Sequence, residues 1–283
     1  MFKKIFTYYL LDFLAWKRVN AAIAKGSAMM QARDIDLSNP ASWEFSGFSQ
    51  NGEDGILDVL RGQLHHSNRY FVEIGSADGI ENNSSWLTVM EKYSGLMIEG
   101  NSWLAGRANR TVIPFSPGAE CINLFVSTNN ISEIREMMVH SDPDVFSLDI
   151  DGNDFYIAKS VFDAGIRPRI FVVEYNSVFG PDRSVTIEYQ EDFNYLKQDP
   201  TRLYYGVALS AWKKFFNQRD YEFITVERNG VNAFFVDRSQ FDRDFLDNLT
   251  GLEFAENCFQ RRKFRLPDEQ QFELIKNRKF VDV

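Results

Sequence analysis

The chain has 283 residues, 44% of them hydrophobic and 25% charged, which fits a soluble globular protein built as one large α/β domain with additions. A net charge of −9 argues against a phosphate-tracking nucleic-acid surface. Cys121 and Cys258, the two cysteines, exclude a disulfide framework and a CxxC zinc site, and point to a reducing, cytoplasmic compartment.

Charge is uneven along the chain. Residues 1–20 carry Lys3, Lys4, Lys17 and Arg18 against Asp12, and residues 259–283 carry seven basic and four acidic side chains, so the acidity lies between. Residues 1–32 read as a helix whose uninterrupted apolar part is too short to span a bilayer. Two placements suit it. It packs on the domain or on a partner subunit, which would make a homo-oligomer. Alternatively, residues 1–20 lie peripherally in a membrane interface, aromatic side chains inward and basic ones at the headgroups.

Residues 33–48, "RDIDLSNPASWEFSGF", read as a linker, and the domain boundary is set at 45/46. "SQNGEDGILDVLRGQL" follows, with Ser49 as a cap and Ile56, Leu57, Leu60 and Leu64 at helical spacing. From Tyr70 short apolar runs alternate with helical stretches. The runs are 70–74, 95–98, 121–126, 145–150, 170–173, 221–226 and 231–236; the helical stretches are 83–92, 102–109, 131–140, 154–163 and 207–219. Such alternation predicts βαβ units and a largely parallel sheet covered on both faces. "ERNG" at 227–230 predicts a hairpin, so one terminal strand is antiparallel. Seven strands ending this way have the layout of a class I methyltransferase, Rossmann-like sheet. Residues 238–283 read as a C-terminal helical appendage, leaving 46–237 as the central domain.

The first strand ends in "VEIGSADG". In an open parallel sheet, ligands sit beyond the carboxyl ends of the strands. Gly75 removes a Cβ from that approach, and Gly79 permits an unusual backbone angle. The spacing is not the G-x-G-x-x-G of a dinucleotide site. Glu73 and Asp78 would repel a pyrophosphate but tolerate the amino group and sulfonium of S-adenosylmethionine. A nicotinamide-dependent oxidoreductase is therefore disfavoured. "GLMIEGN" places Glu99 at the end of the second strand, about twenty residues past the glycine turn, where an acid accepts ribose hydroxyls.

"DPDVFSLDIDGNDFYIA" is the most unusual segment. Strand alternation directs Asp149 and Asp151 to one side. Asn153 and Asp154 follow, and the next strand ends with Glu174 and Asn176. Gathered at one rim, Asp149, Asp151, Glu174 and Asn176 offer oxygen ligands suited to Mg²⁺ or Mn²⁺. Equally, one carboxylate serves as a general base, with Asn153 beside it. A third reading has Asp149 touching cofactor while the others bond to backbone. Tyr175, Phe179, Tyr204, Tyr205 and Trp212 form either a sugar-stacking wall or ordinary packing.

The segments "SQNGEDGIL", "FVEIGSADG", "GLMIEGN", "SLDIDGNDFYI", "RPRIFVVEYNSVFGP" and "GVNAFFV" resemble the FkbM-type methyltransferase family over roughly residues 46–237. The resemblance is nearest to a branch with a Ser-Gln-x-x-Glu-Asp element before the first strand. It implies a class I fold, S-adenosylmethionine, and O-methylation of a hydroxyl on a sugar, glycan or secondary metabolite. Carried over by position, Glu73, Gly75 and Gly79 line the methionine end of the cofactor and Glu99 holds its ribose. Asp149 faces the methyl group, while Gln50, Glu53 and Asp54 close over the pocket. Ser76, Asp78, Asn83 and Asn101 complete the implied cofactor contacts, and Asp149, Asp151 and Asn153 the catalytic set. The family's usual Asp-x-Glu-Gly gives way here to Asp149-Ile150-Asp151-Gly152. A different function class is also compatible with the sequence: a non-catalytic module of the same fold that uses its N-terminal helix on a membrane or partner.

Overall fold

The structure is a computed structural model that describes the backbone of residues 2–283 and the side chains from Phe13 onward. The expected roles of Lys3, Lys4 and Asp12 lie outside the described side chains. The chain opens with helix α1 (Phe2–Ala32), and α2 (Glu53–Gly62) precedes the sheet. Five strands then alternate with helices. They are β1 (Tyr70–Ile74), α3 (Ser85–Val89), β2 (Ser94–Glu99), α4 (Ser102–Thr111), β3 (Ala119–Asn123), α5 (Ile131–Met137), β4 (Val145–Leu148), α6 (Asp154–Asp163) and β5 (Ile170–Glu174). A short strand β6 (Val185–Ile187) and helices α7 (Tyr195–Gln198) and α8 (Leu209–Asn217) lead to β7 (Tyr221–Val226) and β8 (Asn232–Asp237). Helices α9 (Arg243–Asp247), α10 (Cys258–Phe264) and α11 (Asp268–Glu273) follow, then β9 (Phe280–Asp282).

The main sheet has seven strands in the order β3-β2-β1-β4-β5-β8-β7. Pairs β1–β2, β1–β4, β2–β3 and β4–β5 are parallel, whereas β8 runs antiparallel to both β5 and β7. This is the class I methyltransferase fold, with the antiparallel hairpin where "ERNG" places it. Gly230 there takes a φ of +74° and donates its N–H to the Glu227 carbonyl.

Two apolar layers sandwich the sheet because successive side chains of a buried strand face opposite ways. Val72, Ile74, Ile98, Leu148 and Val173 pack with Ile131, Ile157 and Trp212 on one side. Phe71, Met97, Val145 and Val172 pack with Leu57, Trp86 and Ala105 on the other, and Ala15, Val19 and Ala22 of α1 join that layer. The described part of α1 is thus seated on the body of the protein. A side chain at Gly26 would fall 2.3 Å from the Trp86 ring, which explains the glycine. Phe13, Leu14 and Trp16 remain exposed. Among the described residues, no helix is long and apolar enough to cross a membrane.

Some boundaries differ from expectation. β3 begins and ends earlier than 121–126, because Leu124–Val126 leave the sheet to wall a crevice. β4 stops at Leu148, where a tight turn takes over. Helix α2 starts at Glu53 rather than beside Ser49, although the Ser49 hydroxyl still accepts the Asp54 N–H. The pairing of β6 with β9 was not foreseen.

Candidate active site

A crevice of about 600 Å³ opens beyond the carboxyl ends of β1, β2, β3 and β4. Its floor is Ile74, Gly75 and Ala77 at the end of β1. On one side Ile98, Leu104, Leu124, Phe125 and Val126 form an apolar wall, with Glu99 and Asn101 above it. On the other side stand Asp149, Asp151, Asn153 and Phe193. Gln50 and Glu81 reach the rim, and both also line an adjoining groove of about 690 Å³ that includes Arg18, Lys25 and Phe259.

Each side chain is held by its own local structure. Glu99 accepts N–H groups from Ala77 at 2.9 Å and Asn101 at 2.6 Å, so it ties the first turn to the second and retains lone pairs toward the crevice. Asn101 caps α4 by accepting the Trp103 and Leu104 N–H groups. Gly75, at φ +89°, lies against the main chain of β4, and a Cβ there would fall 1.6 Å from the Asp149 carbonyl oxygen. The bare position is therefore needed for strand-tip packing as well as for access.

The turn after β4 is the most constrained part. Asp151 has φ +54°, a left-handed conformation that costs a non-glycine residue energy. Asp154 locks it by accepting the Ile150 and Gly152 N–H groups at 3.0 and 2.8 Å. Asp149 and Asp151 thus converge through a locked turn, whereas simple strand alternation would have required β4 to continue. Glu174, at the end of β5, joins them: one oxygen from each of the three lies within 4.8 Å of the others. Burial and the neighbouring carboxylates push the Asp149 and Glu174 carboxyls well above the usual range, and burial with the Asp154 charge does the same to Asp151.

Other expected residues sit elsewhere. Glu73 points to the opposite face of β1 from Ile74, where it accepts the Asn83 and Ser84 N–H groups; burial raises its carboxyl to about 7. Asn83 donates its amide to Ser147, and Ser76 is buried beside Cys121. Asp78 pairs with Arg18 and Arg107 at 3.4 and 3.3 Å, tying α1 and α4 to the turn. Gly79, at φ +74°, faces Val112. Glu53 accepts amide N–H groups of Asn51 and Asn232, and Asp54 accepts the N–H groups of Gly47, Phe48 and Ser49, which shapes the loop carrying Gln50. None of these except Gln50 borders the crevice.

Two amides are committed to backbone. Asn153 exchanges hydrogen bonds with the main chain of Gln190, and so pins the segment that brings Phe193 over the crevice. Asn176 donates to the Leu203 and Tyr205 carbonyls and accepts the Val178 N–H. It is a cap and a strut, and its oxygen commits one of its two lone pairs to the Val178 N–H. Tyr175, Phe179, Tyr204, Tyr205 and Trp212 are all buried core residues, so they build no stacking wall. Neither motif nor strand alternation singles out the apolar wall or Phe193. The run Leu124-Phe125-Val126 at a strand end was the available signal.

No protein-family model matches the chain, and no curated protein sequence does. Among solved structures, it overlaps an O-methyltransferase from Bacillus cereus in complex with S-adenosylhomocysteine (14% identity, 77% of this chain and 89% of that one, TM-score 0.42). It also overlaps TomG, an O-methyltransferase from Streptomyces achromogenes involved in tomaymycin synthesis, in complex with S-adenosylmethionine (16%, 76% and 87%, TM-score 0.43). A third is the S-adenosylhomocysteine-bound methyltransferase PaMTH1 of Podospora anserina (12%, 78% and 88%, TM-score 0.44). The fold is defined by the strand order above, not by these overlaps.

Proposed function

We propose that the protein is an S-adenosylmethionine-dependent O-methyltransferase of the FkbM type, acting on a hydroxyl of a sugar, glycan or secondary metabolite. The observation that carries this reading is the pairing of Glu99 with the Asp149–Asp151 turn across one crevice. β2 and β4 flank β1, so these acids are set about 10 Å apart by strand spacing.

The residues present fit the cofactor. The apolar wall from Leu104 to Phe125 suits an adenine ring, and Glu99 suits the ribose hydroxyls. Gly75 leaves the floor open, and the acids at the β4 end suit the cofactor's α-amino group and sulfonium. Bound there, S-adenosylmethionine would supply a methyl group on a positively charged sulfur. The chain's own contribution is then positioning and proton removal. Asp149 or Asp151 takes the proton that the acceptor hydroxyl gives up as its oxygen gains the methyl carbon. Asp151, raised to about 7 by burial and the Asp154 charge, is a stronger base than an ordinary carboxylate and is still partly ionised at neutral pH. The adjoining groove by Arg18, Lys25 and Phe259 gives an acceptor room beside the crevice.

Calorimetric titration with S-adenosylhomocysteine tests the reading. One-to-one binding that weakens on Glu99→Ala is expected. A folded protein that takes up no S-adenosylhomocysteine would overturn it in favour of a non-catalytic module.

A further inference from the structure

We infer that Asp149, Asp151 and Glu174 form a site for one divalent cation of the Mg²⁺ or Mn²⁺ class, placed where an acceptor oxygen would meet the crevice. Use of that ion in methyl transfer rests on the reading above; the existence of the site does not.

Three carboxylates converge from two neighbouring strand ends, with one oxygen of each inside a 4.8 Å envelope. By itself such a cluster is only acidic. The telling feature is Glu174, which is 7% exposed and whose Oε2 meets no N–H or O–H donor of the protein; its carboxyl faces that of Asp149, so only a shared proton or a cation can satisfy the pair. A buried, unpartnered carboxylate oxygen is costly, and a cation ligated by it removes that cost. The donor set is all oxygen, with no histidine or cysteine in the cluster, which selects a hard ion over zinc or copper.

Surrounding groups are arranged to hold the acids while leaving them free. Asp154 takes the Ile150 and Gly152 N–H groups, so the turn's own amides are not spent on Asp149 or Asp151. Asn153 and Asn176 satisfy backbone groups of the 190 and 203–205 segments. Asp149 and Asp151 border the crevice and Glu174 lies behind them, so the ion would be reached from the crevice side. Three protein oxygens leave positions for water and for a hydroxyl of the acceptor. An ion there would lower that hydroxyl's pKa and align its oxygen, and the proton would pass to the second, non-ligating oxygen of Asp149 or Asp151.

The alternative for the same cluster is a proton shared among the three acids. Electron paramagnetic resonance of Mn²⁺ separates the two on the purified, chelator-treated full chain. The expected result is uptake of one Mn²⁺ per chain, competed by Mg²⁺, with affinity reduced at least tenfold by both Glu174→Gln and Asp151→Asn. Circular dichroism of each variant establishes that it is folded. Should Glu174→Gln not fold, Asp151→Asn alone decides. No uptake at millimolar Mn²⁺, or uptake unchanged in the folded variants, overturns the site and leaves the shared proton. Titration of the same samples with S-adenosylhomocysteine keeps the readings distinct. Cofactor uptake without Mn²⁺ uptake sinks only the cation site, and Mn²⁺ uptake without cofactor uptake sinks only the methyltransferase reading.

Discussion

Gly75 and Asp149 touch through their main chains: a Cβ at position 75 would lie 1.6 Å from the Asp149 carbonyl oxygen. The ends of β1 and β4 can close on one another only because residue 75 has no side chain. Gly75→Ala must therefore both adopt a φ of +89° and push the β4 turn away. Strain of the first kind costs about 1 to 3 kcal/mol, and overpacking of the second kind a similar amount. We expect a stability loss of about 3 kcal/mol by urea denaturation, accompanied by loss of S-adenosylhomocysteine binding. A variant as stable as the parent would mean that the turn is looser than this contact implies.

Glu99 spends one lone pair of each oxygen on the Ala77 and Asn101 amides. Glu99→Gln retains one acceptor for these amides but removes the charge and the second acceptor. Hydrogen bonds to a charged group contribute about 1.5 to 3 kcal/mol, so S-adenosylhomocysteine affinity is expected to fall by roughly tenfold to a hundredfold. The melting temperature should move little. Unchanged affinity by calorimetry would remove Glu99 from the ribose position.

The strands were legible in the sequence for a simple reason. The central strands are short apolar runs buried on both faces, as at Tyr70–Ile74 and Ile170–Glu174, and these two close on a glycine and an acid that mark the sheet edge. What alternation could not give was side-chain direction past the strand ends. Glu73 lies within β1, one residue short of its end, and so faces the layer opposite Ile74. Asp151 lies beyond β4, where a left-handed residue and Asp154 set the direction instead. Asn153 and Asn176 bond to backbone 37 and 27 to 29 residues away, and β6 pairs with a three-residue strand at the other end of the chain. Contacts of that range leave no periodic trace in sequence.

Asp54 organises the loop that brings Gln50 to the crevice. A single oxygen, Oδ2, accepts three buried N–H groups, from Gly47, Phe48 and Ser49, at 2.7 to 2.9 Å. Asp54→Ala would leave all three without a partner. Each unsatisfied buried donor costs about 1 to 3 kcal/mol, so a loss of about 4 kcal/mol is expected. Asp54→Asn keeps one acceptor oxygen in place and should lose about half as much. Chemical denaturation of the two variants checks the order; equal losses would show that charge, not geometry, holds the loop.

Buried acids also set the pH dependence of stability. Burial, and next the charge of Glu53, raise the Glu227 carboxyl to about 8, although it accepts N–H groups from Asn229, Val231 and Asn232. Burial likewise raises Asp54 and Glu73 to about 7. In the unfolded chain these groups lose their protons near pH 4. Between that pH and 8 the folded state therefore binds more protons than the unfolded one, and stability falls as pH rises. The contribution of Glu227 is complete below its unfolded pKa and is lost as pH rises through about 8. Denaturation midpoints should accordingly be lower at pH 8.5 than at pH 6, with part of the slope removed by Glu227→Gln. A profile that rises across this window would show that the backbone donors around Glu227 outweigh its burial, and that the acid is ionised in the folded protein throughout.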